Sequence, residues 1–171
     1  MPIPKIVAAG ATVLLLAACD AGDGTGDTSP AAPVPANMVA PEPSTAPDPG
    51  PLPADAGPAE VVRHYYALIG QRRFADAWRL WGGGGQASGR TADAFAASFA
   101  DVARYTAKVS APAAVEGAAG SLYATVPVEV TGEKADGTPI HIEGDVTLRR
   151  VNDVPGSTAE QRRWHISGAP G

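Results

Sequence analysis

Nine prolines crowd the stretch between residues 30 and 53: Pro30, Pro33, Pro35, Pro41, Pro43, Pro47, Pro49, Pro51 and Pro53. The wider segment 20–57 adds six acids (Asp20, Asp23, Asp27, Glu42, Asp48, Asp55) and holds no basic and no aromatic residue. Proline removes an amide donor and fixes φ, and so little apolar area cannot offset the entropy of an ordered chain. Residues 19–57 are therefore expected to form a disordered tether, extending roughly 3 Å per residue where polyproline-like. Proline-motif recognition is the sharper reading of the same residues. Alanine dilutes the spacing and no arginine flanks it, so a spacer is preferred. Any core is confined to residues 58–171, enough for one domain and too few for two.

Charge divides at the same place. Residues 58–171 hold twelve Lys/Arg and twelve Asp/Glu, so the net charge of −5 belongs to what precedes them. A balanced domain lacks the basic face of a nucleic-acid binder, and no nucleic-acid partner is expected. The three histidines, His64, His141 and His165, show no ligand spacing, so neither a metal nor another cofactor is expected.

Lys5 precedes an apolar run from Ile6 to Ala17, about a dozen residues and too short for a permanent span of a ~30 Å hydrocarbon layer. It reads as a signal peptide over residues 1–18. Its close, Leu16-Ala17-Ala18-Cys19, resembles the lipobox of bacterial lipoprotein precursors. The resemblance implies cleavage before Cys19, a thioether-linked diacylglycerol on Cys19, and N-acylation (palmitate is the typical chain). Two or three acyl chains hold a protein stably at a bilayer where one does not. Cys19 is the sole cysteine, so no intramolecular disulfide can form. Asp20 resembles an inner-membrane retention signal, which favours the periplasmic side of the inner membrane over the outer.

Beyond residue 57 the periodicities are clear. Gly57-Pro58-Ala59-Glu60 reads as a helix start, and Val62, Tyr65, Tyr66 and Ile69 share one face up to a stop at Gly70. Phe74, Ala77, Trp78 and Trp81 predict a second helix, ended by Gly82-Gly83-Gly84-Gly85. That glycine run lacks the Lys-Ser/Thr of a phosphate loop and follows a helix where that motif needs a strand. A third helix is expected over Ala92–Phe99, capped by Thr91, with Phe95 and Phe99 inward. From Val102 the period becomes two, with Ala103, Tyr105, Ala107 and Val109 on one face, and Pro112 then interrupts. A short edge strand is expected over Ala114–Glu116. Leu122, Ala124, Val126, Val128 and Val130 face inward on one strand. Ile140, Ile142, Gly144, Val146 and Leu148 do so on the next, beyond an Asp136-Gly137 hairpin. Arg163–Ile166 supplies the last strand. Helices followed by an antiparallel meander give an α+β domain, with the helices on one face of a curved sheet.

Three stretches resemble the NTF2-like, or SnoaL-like, cone superfamily: Val61-Val-Arg-His-Tyr-Tyr-Ala-Leu-Ile69, Arg73-Phe-Ala-Asp-Ala-Trp-Arg-Leu-Trp81, and the pair Tyr123–Val130 with Gly144–Arg150. The likeness spans nearly all of residues 58–171. It implies a cone-shaped fold that serves isomerases, hydratases, cyclases and non-catalytic modules alike, so function must come from the site.

An enzyme of this kind needs a proton-transferring residue facing its substrate, and none of the ten inward strand positions can provide one. His64 and Asp76 are weak catalytic candidates. Asp76 is explained as an ion-pair partner of Arg72 or Arg73, and His64 lies beside the apolar face. Tyr66, Trp78, Trp81, Phe95, Tyr105 and Trp164 are candidate pocket residues for a small apolar ligand. Glu129, His141, Glu143 and Arg149 form a candidate surface for an envelope protein or a second copy. The preferred reading is a membrane-anchored binding module, with an isomerase, hydratase or cyclase as the alternative.

Overall fold

The computed structural model describes residues 48–171, so the expected signal peptide, Cys19, Asp20 and the expected tether up to residue 47 lie outside the described residues. The first helix, α1, runs Pro58–Gly70. Proline at its first turn loses an amide that has no partner there in any case. The Glu60 carboxylate accepts from Gly57 N–H at 2.8 Å, satisfying another donor of that turn. Val61, Val62, Tyr65, Tyr66, Leu68 and Ile69 are buried along one side. Each fully buried aliphatic side chain contributes roughly 1.5–3 kcal/mol relative to exposure, so this stripe holds α1 to the sheet.

Helix α2 is Phe74–Arg79, shorter than the periodicity predicts. Trp81 lies beyond it, in a parallel bridge with Ile166. Ile166 N–H donates to Leu80 O and Gly82 N–H donates to Ile166 O, each at 2.9 Å, so sheet pairing takes the backbone groups that another helical turn would use. The glycines form turns leading into a 3-10 turn at Gln86–Ser88. Helix α3 is Ala92–Ala97, two residues shorter than expected. Thr91 caps it, its hydroxyl oxygen accepting from Ala94 N–H at 3.2 Å.

Five strands form one antiparallel sheet: β1 (Val102–Val109), β2 (Ala114–Ala118), β3 (Ser121–Lys134), β4 (Pro139–Val151) and β5 (His165–Gly168). Their order is β1-β3-β4-β5, with β2 taking the rest of the β3 edge beyond β1. The domain is α+β, with helices and a curved antiparallel sheet. Ala124, Val126, Val128, Val130, Val146, Leu148 and Ile166 are buried on the sheet's inner face, as the alternation predicts.

Three details differ from the sequence expectation. A register shift between Val102 and Arg104 leaves Ala103 without a partner and exposed, with Val102 half-buried in its place, while Tyr105, Ala107 and Val109 are half-buried as expected. The hairpin β2–β3 turns through Ala119 and Gly120, both at positive φ, and β2 runs two residues further than expected. The last strand begins at His165 because Arg162 and Arg163 are tied into a turn, their amides donating to Thr158 O and Glu160 O.

Packing also reaches further toward the N-terminus than residue 58. Ala56 is buried, Leu52 packs against the core, and Asp48 pairs with Arg73 at 2.8 Å.

Candidate functional site

Where α1, α3, the start of β1 and the Ile140–Ile142 end of β4 meet, the inner face is not sealed. A cavity of about 420 Å³ opens there, lined by Tyr65, Tyr66, Trp81, Phe95, Phe99 and Tyr105, with Ile140 and Ile142 opposite. The rings form one connected set. Tyr65 meets Tyr66 edge-on at 5.0 Å and Trp81 at 6.3 Å between centroids. Tyr66 stacks on Tyr105 at 6.0 Å, and Phe99 meets Tyr105 and Phe95 edge-on at 5.8 and 5.3 Å. Both arrangements suit the ring quadrupoles, and interlocked rings give the cavity a fixed wall.

The polar groups at this cavity are few. Burial pushes the Tyr65 phenol well above its ordinary value, and burial followed by the neighbouring Tyr105 does the same for Tyr66. Tyr105 is raised by burial as well. All three phenols are therefore neutral hydrogen-bond donors at physiological pH. The Trp81 indole N–H forms no well-made hydrogen bond, although it lies near enough to the Tyr65 oxygen to favour its charged form. Asp101 is the carboxylate side chain on the lining, and it is exposed and 3.0 Å from Lys134 Nζ. That hydrogen bond, with the charge behind it, holds Lys134 above the usual lysine range and so charged. Pro170 crosses the inner face at Gly144, where an added Cβ would lie 2.8 Å from the proline ring, and residues 169–171 complete the lining.

Of the six candidate pocket residues, Tyr66, Trp81, Phe95 and Tyr105 meet at this cavity. Trp78 does not. It is not among the lining residues, and its indole N–H donates to Ser88 Oγ and Arg90 O, at 3.1 and 3.0 Å. Trp164 lines a separate cavity of about 280 Å³ beneath residues 50–56, together with His64 and Asp76. Arg150 lies over the Trp164 ring at 5.3 Å.

The weak catalytic pair sits in that second cavity as structural groups. Asp76 accepts from Arg73 at 3.0 Å and from Arg79 at 2.7 Å, while Arg72 turns away to Val102 O at 2.8 Å. His64 is held below its ordinary value by burial and then by the Arg73 charge, with Asp48 and Asp76 acting in the opposite sense.

The candidate partner residues fall into two groups. Cross-strand pairing sets Glu129 against Glu143, and His141 lies 3.4 Å from the Glu143 carboxylate. The donor atoms of Glu129, His141 and Glu143 lie within 4.8 Å of one another, a proximity that spacing along the chain does not reveal. Lys108 approaches Glu129 at 3.8 Å and eases the repulsion between facing carboxylates. Arg149 stands six residues further along β4, roughly 20 Å away at the rise of a strand, and donates to Ser121 Oγ at 2.8 Å.

Phe99, Arg90, Asp101 and Lys134 also line the cavity, and the sequence pattern does not single them out for it. The spacing of α3 does turn Phe99 inward, and Tyr65, which lines the cavity too, shares the apolar face of α1. Ile140 and Ile142 were read as core, and both are half-buried because the cavity, rather than a helix, lies over them.

No protein-family model matches the chain, and no curated protein matches it. Among solved structures it is similar to the Kfla4162 protein from Kribbella flavida, at 14% identity over 63% of this chain and 82% of that one, with a TM-score of 0.43. It is also similar to a nuclear transport factor 2 (NTF2-like) superfamily protein from Salmonella enterica subsp. enterica serovar Typhimurium str. LT2. There the identity is 16% over 64% of this chain and 82% of that one, with a TM-score of 0.42. Neither likeness carries a functional assignment.

Proposed function

We propose that this chain is a bacterial envelope lipoprotein whose α+β domain, an NTF2-like cone, binds a small, mainly apolar molecule without transforming it. The observation that carries the reading is the cavity of about 420 Å³ walled by six aromatic rings. Its phenols stay neutral and its carboxylate is occupied by Lys134. Concave, largely apolar sites with a few oriented donors are the usual form of a small-molecule site. Helices laid on one face of a sheet, in that order along the chain, support the cone reading.

Anchorage is the other half of the proposal. Acylated Cys19 would hold the mature chain at the periplasmic side of a membrane, with Asp20 favouring the inner one. Among the described residues no helix is long and apolar enough to cross a membrane.

The neutral fluorophore N-phenyl-1-naphthylamine tests the cavity. It should bind at one site, and Ile142→Trp, which fills the space, should weaken binding at least about tenfold, the loss of one well-buried apolar contact area. Unchanged affinity in that variant would place the dye elsewhere and remove the reading. An isomerase, hydratase or cyclase at the same position would have to use Asp101 as its proton acceptor. Turnover abolished by Asp101→Asn would replace binding with catalysis.

A further inference from the structure

Residues 82–90 are wound around the Trp78 ring. Gly85 sits at φ 105, and a Cβ on it would overlap the indole, so glycine alone fits there. Ser88 Oγ accepts from Trp78 Nε1–H at 3.1 Å and donates to Gly85 O at 2.7 Å. Arg90 O accepts from the same indole at 3.0 Å, and Arg90 N–H donates to Ser88 Oγ at 3.3 Å. The loop is thus fastened to α2 at both its centre and its end. The backbone of Arg90 is fixed on the α2 side, and Arg90 is among the residues that line the aromatic cavity.

Three charged side chains line that cavity: Arg90, Asp101 and Lys134. Asp101 and Lys134 neutralise each other at 3.0 Å, whereas Arg90 has no ion-pair partner among the described residues. Its charge nevertheless reaches the Tyr65 phenol. Tyr66 and Tyr105 line the same space, and their hydroxyls make no hydrogen bond to the described residues. An unpaired guanidinium beside neutral donors, at the edge of an apolar wall, matches one ligand chemistry. A carboxylate can take two parallel N–H bonds from the planar fork, and a ligand body filling the cavity would exclude the water that otherwise weakens such a pair.

We infer that the cavity selects small apolar or aromatic monocarboxylates, with Arg90 gripping the carboxylate and the rings holding the body. The inference rests on the ligand-binding reading above and adds the sign of the ligand's charge.

The test uses two probes of the same shape, naphthalene-2-carboxylate and naphthalene-2-carboxamide, titrated calorimetrically into the full mature chain and its Arg90→Gln variant. The carboxylate should bind at least about tenfold more tightly to the unaltered chain, the range of a hydrogen bond to a charged group. Arg90→Gln should abolish the preference, bringing the two probes to equal affinity, with the larger loss on the carboxylate because its bond to the guanidinium is charge-assisted. A cooperative urea transition matching that of the unaltered chain shows that the variant is folded. Equal affinity of the two probes for the unaltered chain would overturn the charge selection while leaving the cavity reading intact. A carboxylate preference that survives Arg90→Gln would overturn the role of Arg90. Failure of both probes to bind would remove the cavity reading and this inference together.

Discussion

Gly85 shows how one residue without a side chain can decide the placement of another with one. Replacing it by alanine would force a Cβ into the Trp78 ring and oblige a non-glycine residue to hold a positive φ. Overpacking and backbone strain each cost about 1–3 kcal/mol, so Gly85→Ala should lower the free energy of unfolding by about 2 kcal/mol or more in urea titrations. A near-neutral outcome would mean that the loop does not clasp the indole. His64 gives a second expectation at this scale. Its folded-state pKa lies below the ordinary 6.5, so the unfolded chain takes up the proton first. The stability associated with neutral His64 is intact above about pH 6.5 and diminishes as the pH falls below that value toward the folded pKa. The charged groups facing His64, namely Arg73, Asp48 and Asp76, bear on the same equilibrium. Urea midpoints measured from pH 7.5 to 5 should fall more for the unaltered chain than for His64→Gln. Parallel curves would contradict the assignment.

Among the elements, residues 48–57 depart most from their composition. Prolines and acids mark them as spacer, yet Leu52 and Ala56 lie against the core and Asp48 pairs with Arg73. Composition reports what a segment could bury by itself and is silent about a neighbouring surface ready to receive it. A chain beginning at residue 58 should be less stable in urea than one beginning at residue 48, by about 1–2 kcal/mol for the apolar area uncovered. Equal stability would return these residues to the tether. Elsewhere the elements were legible wherever periodicity spoke. The inward row of β3 and the buried stripe of α1 follow directly from spacing two and from spacing three to four. The bulge at Ala103 was not legible, because an extra residue in a strand leaves no chemical mark when it is an alanine. Trp81 was misplaced because helical spacing continued past the point where Leu80 and Gly82 exchange hydrogen bonds with Ile166.

At the scale of the whole molecule, sequence alternation told which side chains turn inward and not what covers them. Ile140 and Ile142 turn inward and meet a cavity, while the same alternation at Val146 and Leu148 ends in packed core. The grouping of the aromatics was likewise readable only in part. Four of six candidates converge, and the other two serve the loop and the second cavity, since ring type does not encode direction. Anchorage is tested separately. Mass spectrometry of the mature N-terminus should find a diacylated or triacylated Cys19, and Cys19→Ala should leave the precursor uncleaved or release the chain from membranes. An unmodified Cys19 in the mature chain would refute it. The binding claim is tested most directly by backbone amide NMR during titration with naphthalene-2-carboxamide. The account predicts saturable shifts at Tyr66, Phe99, Tyr105, Lys134 and Ile142, with Glu129 and Glu143 on the outer face unmoved. Shifts confined to the outer face, or none at millimolar probe, would contradict it.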